Sequence, residues 1–317
     1  MGKPLCKWLV FGNKWLNLSQ FNSILYFNLR FMEKVSFTRE LDLKINSAIG
    51  DLVNKVTCQL FLPGGKFSVS PLGSGVFVTI GTLHYILTAA HVAEKHRNPN
   101  QFLVLQKNGK FLEIKGDCQY TNYRNLTKID VAYIKISNEL KVILSDSFEF
   151  LSQDKIIGSH QLMDAANYAV FGYPEKNVVK KKDGYIHTKA SLYILKPLEE
   201  KVYKYYNFDY KLFYTMGFKG KGIDLQTGRK SRKLKKQNGL SGCGLWFMNV
   251  EKEEDGNFNV DFFLIGIMTD EPVGKYHCLI GNKIDVLLSA IANLDKNESA
   301  NLIKTDNNAL YIHHKTN

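Results

Sequence analysis

From residue 38 to 54, apolar side chains recur at spacings of three and four: Leu41, Ile45, Ala48, Ile49, Leu52 and Val53. That period predicts a helix with one buried face. Beyond it the pattern changes to short β-rich runs. Val56–Leu62 ends at Pro63-Gly64-Gly65, a turn signal. Gly75–Ile80 and His84–Thr88, separated by Gly81-Thr82-Leu83, predict a hairpin. Further predicted strands are Phe102–Leu105, Val131–Ile136, Tyr168–Phe171, Ala190–Leu195, Gly244–Val250, Phe262–Met268 and Tyr276–Ile280. Ile284–Leu294, apolar at 284, 287, 288, 291 and 294, predicts a closing helix. Many short strands between turn signals point to a sandwich or a barrel. No internal repeat of solenoid period is present.

The 317 residues are 44% hydrophobic and 23% charged. That excludes collagen, bulk disorder and a disulfide-dense scaffold, and allows one large domain or two smaller ones. No stretch reaches the roughly 18 uninterrupted apolar residues of a spanning helix. The formal charge of +12 is concentrated. Residues 176–236 hold 17 Lys or Arg and 5 Asp or Glu, so that segment carries the whole excess. It suggests an acidic partner, such as nucleic acid, a membrane surface or an acidic substrate, or else solvated Lys-rich hairpins. The five cysteines are widely spaced with no C-x-x-C pair, which fits a reducing, cytoplasmic setting. There is no metal-ligand cluster and no nucleotide loop, so no cofactor is expected.

Residues 1–31 carry Lys3, Lys7, Lys14 and Arg30, and no acid. Asn13, Lys14 and Asn17 interrupt the apolar run that a secretory signal needs. The segment reads as a basic extension, with Met32 opening a more ordinary sequence, as an over-extended start would. An N-terminal peptide spanning Arg30 to Val35 would sink that reading. Residues 295–317 are polar and Asn-rich and read as a mobile tail.

Three local constellations carry chemistry. Leu87-Thr88-Ala89-Ala90-His91-Val92 places a His at the end of an apolar strand, behind small residues that let the backbone pack closely. Lys128-Ile129-Asp130-Val131 places an acid at the start of another strand. An Asp there can accept from an imidazole N–H and stabilise the imidazolium. Gly239-Leu240-Ser241-Gly242-Cys243-Gly244 holds a Ser among three glycines just before a strand. Such a loop can expose the hydroxyl and aim the Gly239 and Ser241 N–H groups at one point. Taken singly, each has a plain structural reading: a core His, a turn Asp, a Gly-rich turn.

In the chain order His, Asp, Ser on a β background, these motifs resemble the chymotrypsin-like (trypsin-like) serine proteases, from about Val56 to Leu294. Gly73-Ser74-Gly75-Val76 and Phe171-Gly172-Tyr173-Pro174 look like bacterial and organellar relatives such as the high-temperature-requirement proteases. The Asn- and Lys-rich composition agrees with an AT-rich bacterial genome. The resemblance implies an all-β fold of two packed six-stranded antiparallel barrels, about 56–150 and 165–282, inside a domain spanning 32–294. An N-terminal helix and the closing helix 284–294 would flank them. It implies His91 as base and acid, Asp130 as its orienter and Ser241 as nucleophile. Gly239 and Ser241 N–H groups would form the oxyanion hole. Lys235 would stand at the pocket floor, and Thr269 beside the substrate strand and the buried Asp.

Several positions depart from the family. Leu240 stands where activated digestive proteases carry the Asp that pairs with a new N-terminus, which argues against that switch. Val92 and Gln237 stand where secreted relatives have disulfide cysteines. Cys243-Gly244 replaces Gly-Pro and raises the question of a Cys nucleophile. The register answers it, since G-x-S-G fits Ser241. Lys235 opposes a preference for basic substrates, and Arg229–Lys236 is six basic residues in eight. The stretch would select acidic substrates or an acidic partner; a cleavage preference for basic residues would refute this. The expected function is a serine endopeptidase acting on proteins or peptides. Two alternatives stand beside it: an inactive protease-like module whose 176–236 segment docks nucleic acid or an acidic protein, and a protease triggered by nucleic acid or a partner protein.

Overall fold

The computed structural model describes residues 8–11, 14–17, 39–64, 68–95, 102–124, 127–164, 166–180, 186–217, 223–224, 238–252 and 257–303. Near the N-terminus, Trp8–Phe11 pairs antiparallel with Lys14–Asn17. The first helix, Arg39–Ala48, runs into a π turn at Ile49–Val53 and a last turn at Asn54–Val56. Leu41, Ile45, Ile49 and Val53 are all buried in the main core. Their constant spacing of four drifts around a helix of 3.6 residues per turn, and the wider π turn takes up that drift.

Seven strands follow: β1 (Thr57–Gly64), β2 (Ser68–Ile80), β3 (Leu83–Thr88), β4 (Phe102–Leu105), β5 (Phe111–Ile114), β6 (Gly116–Tyr120) and β7 (Ala132–Ile136). They form one antiparallel sheet in the order β5-β4-β1-β2-β3-β7-β6. Its two edge strands are consecutive in sequence, separated by Lys115 alone. The sheet must therefore curl until its edges nearly meet, and it does so around its own apolar cluster of Cys58, Leu60, Phe77, Ile86, Val104 and Ile134.

The second half consists of β8 (Asn167–Gly172), β9 (Ser191–Pro197), β10 (Phe213–Gly217), β11 (Gly244–Lys252), β12 (Phe258–Asp270) and β13 (Cys278–Lys283). Their order is β8-β11-β12-β13-β10-β9, and β9 returns to β8, which closes a six-stranded barrel. A two-residue strand, Ile223–Asp224, adds to the end of β9. The expectation of two six-stranded barrels is thus corrected. One barrel is closed; the first half is a curled seven-stranded sheet with no ladder between its edges among the described residues.

Side-chain alternation joins the halves. On β8, Tyr168 and Val170 point into the barrel, while Ala169 and Phe171 join the core between the halves. On β3, Ile86 faces the sheet's own interior, while Tyr85 and Leu87 join that shared core. The closing helix Ile284–Leu294 caps it. Residues 295–303, read from sequence as the start of a mobile tail, pack as well. Ala300 and Ile303 are buried in the shared core, and buried Asn297 donates to Ile80 O (2.9 Å) and the Tyr85 hydroxyl (3.3 Å). Asn297 is polar, yet its Nδ2 donates inside the protein, and composition cannot separate that from solvation. Residues 304–317 and most of 1–38 lie outside the described residues.

Candidate active site

His91 lies in a short helix, Ala90–Glu94, rather than at a strand end. β3 stops at Thr88, whose hydroxyl donates to Ser74 O at 2.8 Å, and the buried Ala89 and Ala90 make the turn. Asp130 precedes β7 and is buried, after Lys128 in a left-handed conformation (φ 55°). Both Asp130 oxygens are used by one residue. Oδ1 accepts from the His91 backbone N–H at 2.8 Å, and Oδ2 from Nδ1 at 2.6 Å. An ionised carboxylate only accepts, so Nδ1 carries the proton and Nε2 is left as the basic nitrogen. The Tyr123 ring lies edge-on to the imidazole, 6.0 Å between centroids. Its hydroxyl donates to Glu94 Oε2 at 2.6 Å, and Arg124 holds the same oxygen at 2.8 Å.

Ser241 comes from the other half, on the loop before β11. Ser74 N–H donates to Ser241 O at 2.8 Å, and Ser74 Oγ donates to Gly239 O at 2.9 Å. Gly242 is at φ 88°, and a β-carbon there would lie 2.1 Å from Ser74 O, 2.2 Å from Thr88 Oγ1 and 3.2 Å from Ala89 N. The serine loop is therefore seated on the turn that carries His91, two residues further along. The structure pairs His91 with Asp130 and sets the loop of Ser241 against the turn that precedes His91. Among the described residues, Ser241 Oγ donates to Thr269 O, at 3.4 Å.

The N–H groups needed for an oxyanion hole are oriented by their own peptides. Asn238 O accepts from Glu175 N (2.8 Å) and Leu240 O from Cys243 N (3.0 Å). In a trans peptide the N–H points opposite to the carbonyl, so Gly239 N–H faces away from Glu175 and Ser241 N–H away from Cys243. Gly239 is at φ 94°, and a β-carbon there would lie 2.5 Å from Tyr173 O and 2.6 Å from Glu175 N. Leu240, where an Asp would serve the activation switch, is buried in the barrel's apolar cluster. Cys243 is fully buried in the same cluster, and burial pushes its thiol well up. That is the opposite of what a nucleophilic thiolate needs.

Thr269 is buried and its hydroxyl faces inward, donating to Ile280 O (3.4 Å) and accepting from Asn282 Nδ2 (3.0 Å). Its carbonyl, not its side chain, borders Ser241. Lys235, Gln237 and the stretch Arg229–Lys236 lie outside the described residues. Of the basic segment 176–236, several described lysines have local partners. Lys201 pairs with Glu199 (2.6 Å), Lys204 with Glu200 (2.9 Å), and Lys196 donates to Ala166 O and Asn167 Oδ1. Ser74 and Asn282 escaped the sequence reading as site residues. A single Asn inside the apolar run Cys278-Leu279-Ile280-Gly281-Asn282 was the available signal. Among the described residues no His, Cys, Asp and Glu cluster could hold a metal, and no helix is long and apolar enough to cross a membrane.

No protein-family model and no curated protein matches the chain. Among solved structures, the scabies mite inactivated protease paralogue S-I1 is similar at 13% identity and TM-score 0.48, over 77% of this chain and 95% of its own. The scabies mite inactivated protease paralogue S-D1 is similar at 10% identity and TM-score 0.44, over 78% and 92%. Their inactivated state is a property of those two proteins.

Proposed function

We propose that this chain is a serine endopeptidase working through His91, Asp130 and Ser241. One observation carries the reading: Asp130 fixes His91 by two hydrogen bonds while the Gly242 contact seats the Ser241 loop on the same turn. In the reaction, Ser241 Oγ leaves Thr269 O and passes its proton to His91 Nε2 as it attacks the scissile carbonyl. Asp130 stabilises the imidazolium that forms. The Gly239 and Ser241 N–H groups receive the negative carbonyl oxygen. His91 then gives its proton to the leaving amine, leaving an acyl ester on Ser241. Water, deprotonated by Nε2, hydrolyses the ester and restores the serine. Substrates would be proteins or peptides; selection of acidic ones by Arg229–Lys236 stays part of the proposal. The test is labelling by a fluorophosphonate. Wild type should react at Ser241 and Ser241→Ala should not, with turnover falling to the roughly 10³–10⁴-fold over water that oxyanion hole and binding provide.

A second reading, an inactive protease-like module that docks nucleic acid or an acidic protein, draws on a specific observation. The Ser241 proton is directed at Thr269 O, and a hydroxyl so placed is not donating to His91. Salt-dependent binding of nucleic acid by a protein that fluorophosphonate leaves unmodified would favour it.

A further inference from the structure

The His91–Asp130 pair belongs to the first sheet and Ser241 to the barrel, and one buried amide bridges them. Asn282, on β13, is fully buried. Asp130 N–H donates to Asn282 Oδ1 at 3.4 Å, and Asn282 Nδ2 donates to Thr269 Oγ1 at 3.0 Å. The direction of these bonds is forced. A backbone N–H can only donate, so Asp130 decides which end of the amide faces it. The NH₂ end is thereby turned to Thr269, whose oxygen must accept. The Thr269 proton then goes to Ile280 O. The Thr269 carbonyl in turn accepts from Ser241 Oγ. One sequence of contacts runs from the backbone of the acid to the hydroxyl of the nucleophile, across the boundary between sheet and barrel.

A primary amide is costly to bury unless its hydrogen bonds are replaced. A leucine would fill the same volume in the barrel wall without that cost. Both side-chain partners of Asn282 are residues of the site, and its backbone is held in register with Phe213 on one side and Ile267 on the other. A side chain with such a fixed origin transmits position well. The three bonds of 3.4 Å, Asp130 N–H to Asn282, Thr269 to Ile280 O and Ser241 to Thr269 O, are long, so their role is to set alignment more than to add strength.

We infer that Asn282 is a positioning residue, setting the acid–base pair of one half against the nucleophile of the other through Thr269. The inference rests on the proposed triad. It acts on orientation, where an error of about 1 Å costs on the order of 10²-fold, and therefore on kcat more than on KM.

The test uses the full chain as wild type, Asn282→Leu, Thr269→Val, Thr269→Ser and the Asn282→Leu/Thr269→Val double variant. Three readouts are followed: the fluorophosphonate labelling rate, kcat and KM on a cleavable peptide, and the proton NMR resonance of His91 Nδ1–H. Asn282→Leu and Thr269→Val should each lower labelling and kcat by about 10²-fold, with KM little changed and the imidazole resonance shifted. The double variant should lose no more than the worse single, since both cut one connection. Thr269→Ser should restore the rate. Labelling of Asn282→Leu at the wild-type rate, or additive losses in the double variant, would overturn the inference. If Asn282→Leu does not fold, the near-isosteric Thr269→Val carries the test alone. Wild type that resists labelling would remove the proposed triad. The inference would then be judged on the His91 resonance, and an unshifted resonance in folded variants would end it.

Discussion

Gly242 lies so close to Ser74 that a β-carbon on it would stand 2.1 Å from the Ser74 carbonyl oxygen. This contact seats the serine loop of the barrel on the first sheet, and its geometry excludes any side chain. Gly242→Ala meets two penalties: about 1–2 kcal/mol for a left-handed backbone (φ 88°), and about 1–3 kcal/mol for forcing an atom into packed surroundings. The expected outcome is a lower melting temperature together with loss of labelling at Ser241. Wild-type labelling by a destabilised Gly242→Ala would show that the loop reaches its place without this contact.

Asp130 serves His91 with both oxygens. Asp130→Asn keeps the shape but replaces one acceptor with an NH₂, and an NH₂ facing Nδ1 reverses the tautomer. Turnover should fall by about 10⁴-fold, the loss typical of this change in such triads, while the melting curve moves little. Steady-state kinetics on a peptide substrate with circular dichroism separates the two effects. A drop of tenfold or less would mean that Asp130 does not set the imidazole.

The three chemical motifs were legible because each is local. Thr-Ala-Ala-His, Ile-Asp-Val and Gly-Leu-Ser-Gly each compress a turn, its packing and the proposed triad side chain into a few consecutive residues. Their mutual placement was not legible. Ser74 reaches Gly239 across 165 positions, and Asp130 reaches Asn282 across 152. Nothing in either local sequence names the partner.

The fold divides the same way. Ile284–Leu294 and Phe102–Leu105 are found with the boundaries the apolar pattern predicts. The strands Phe111–Ile114 and Gly116–Tyr120 escaped it because they are edges. Their side chains alternate weakly, and Gly-Asp-Cys-Gln-Tyr reads as a loop until its ladder with β7 is seen. Among the described residues these same two edges leave the first sheet without the closing ladder that the family resemblance implied. His91 moved from a strand end into a helix because Ala89 and Ala90 suit either conformation.

Cys243, two residues from Ser241, should be inert. It is fully buried, burial holds its thiol protonated, and a β-carbon on Gly172 would lie 2.8 Å from its Cβ and 3.2 Å from its sulfur. Thiol reactivity follows the thiolate fraction and access, and both are low here. Iodoacetamide should leave the native protein active, and mass spectrometry should find Cys243 alkylated only after denaturation. Rapid inactivation with modification at Cys243 would reopen the question of a cysteine nucleophile.

His160 supplies a pH dependence of stability separate from the site. It is buried in the barrel half, where Met163 N–H donates to the Tyr168 hydroxyl oxygen, leaving that hydroxyl's proton to His160 Nε2 (3.1 Å). Protonating the ring would remove this acceptor and bury a charge. Burial first, and the nearby Lys283 ammonium second, bring its pKa from 6.5 down to about 3. Between those values the unfolded chain binds more protons than the folded one, so stability rises with pH across that window. The contribution is complete above about pH 6.5 and is lost on acidification by about 1.4 kcal/mol per pH unit towards 3. Urea midpoints measured from pH 7 to pH 4 should fall accordingly. His160→Gln keeps an acceptor for Tyr168 but cannot titrate, so its midpoints should fall less steeply, by about one proton's share of the slope. Parallel curves for wild type and His160→Gln would show that His160 accepts a proton in the folded barrel as readily as in the unfolded chain.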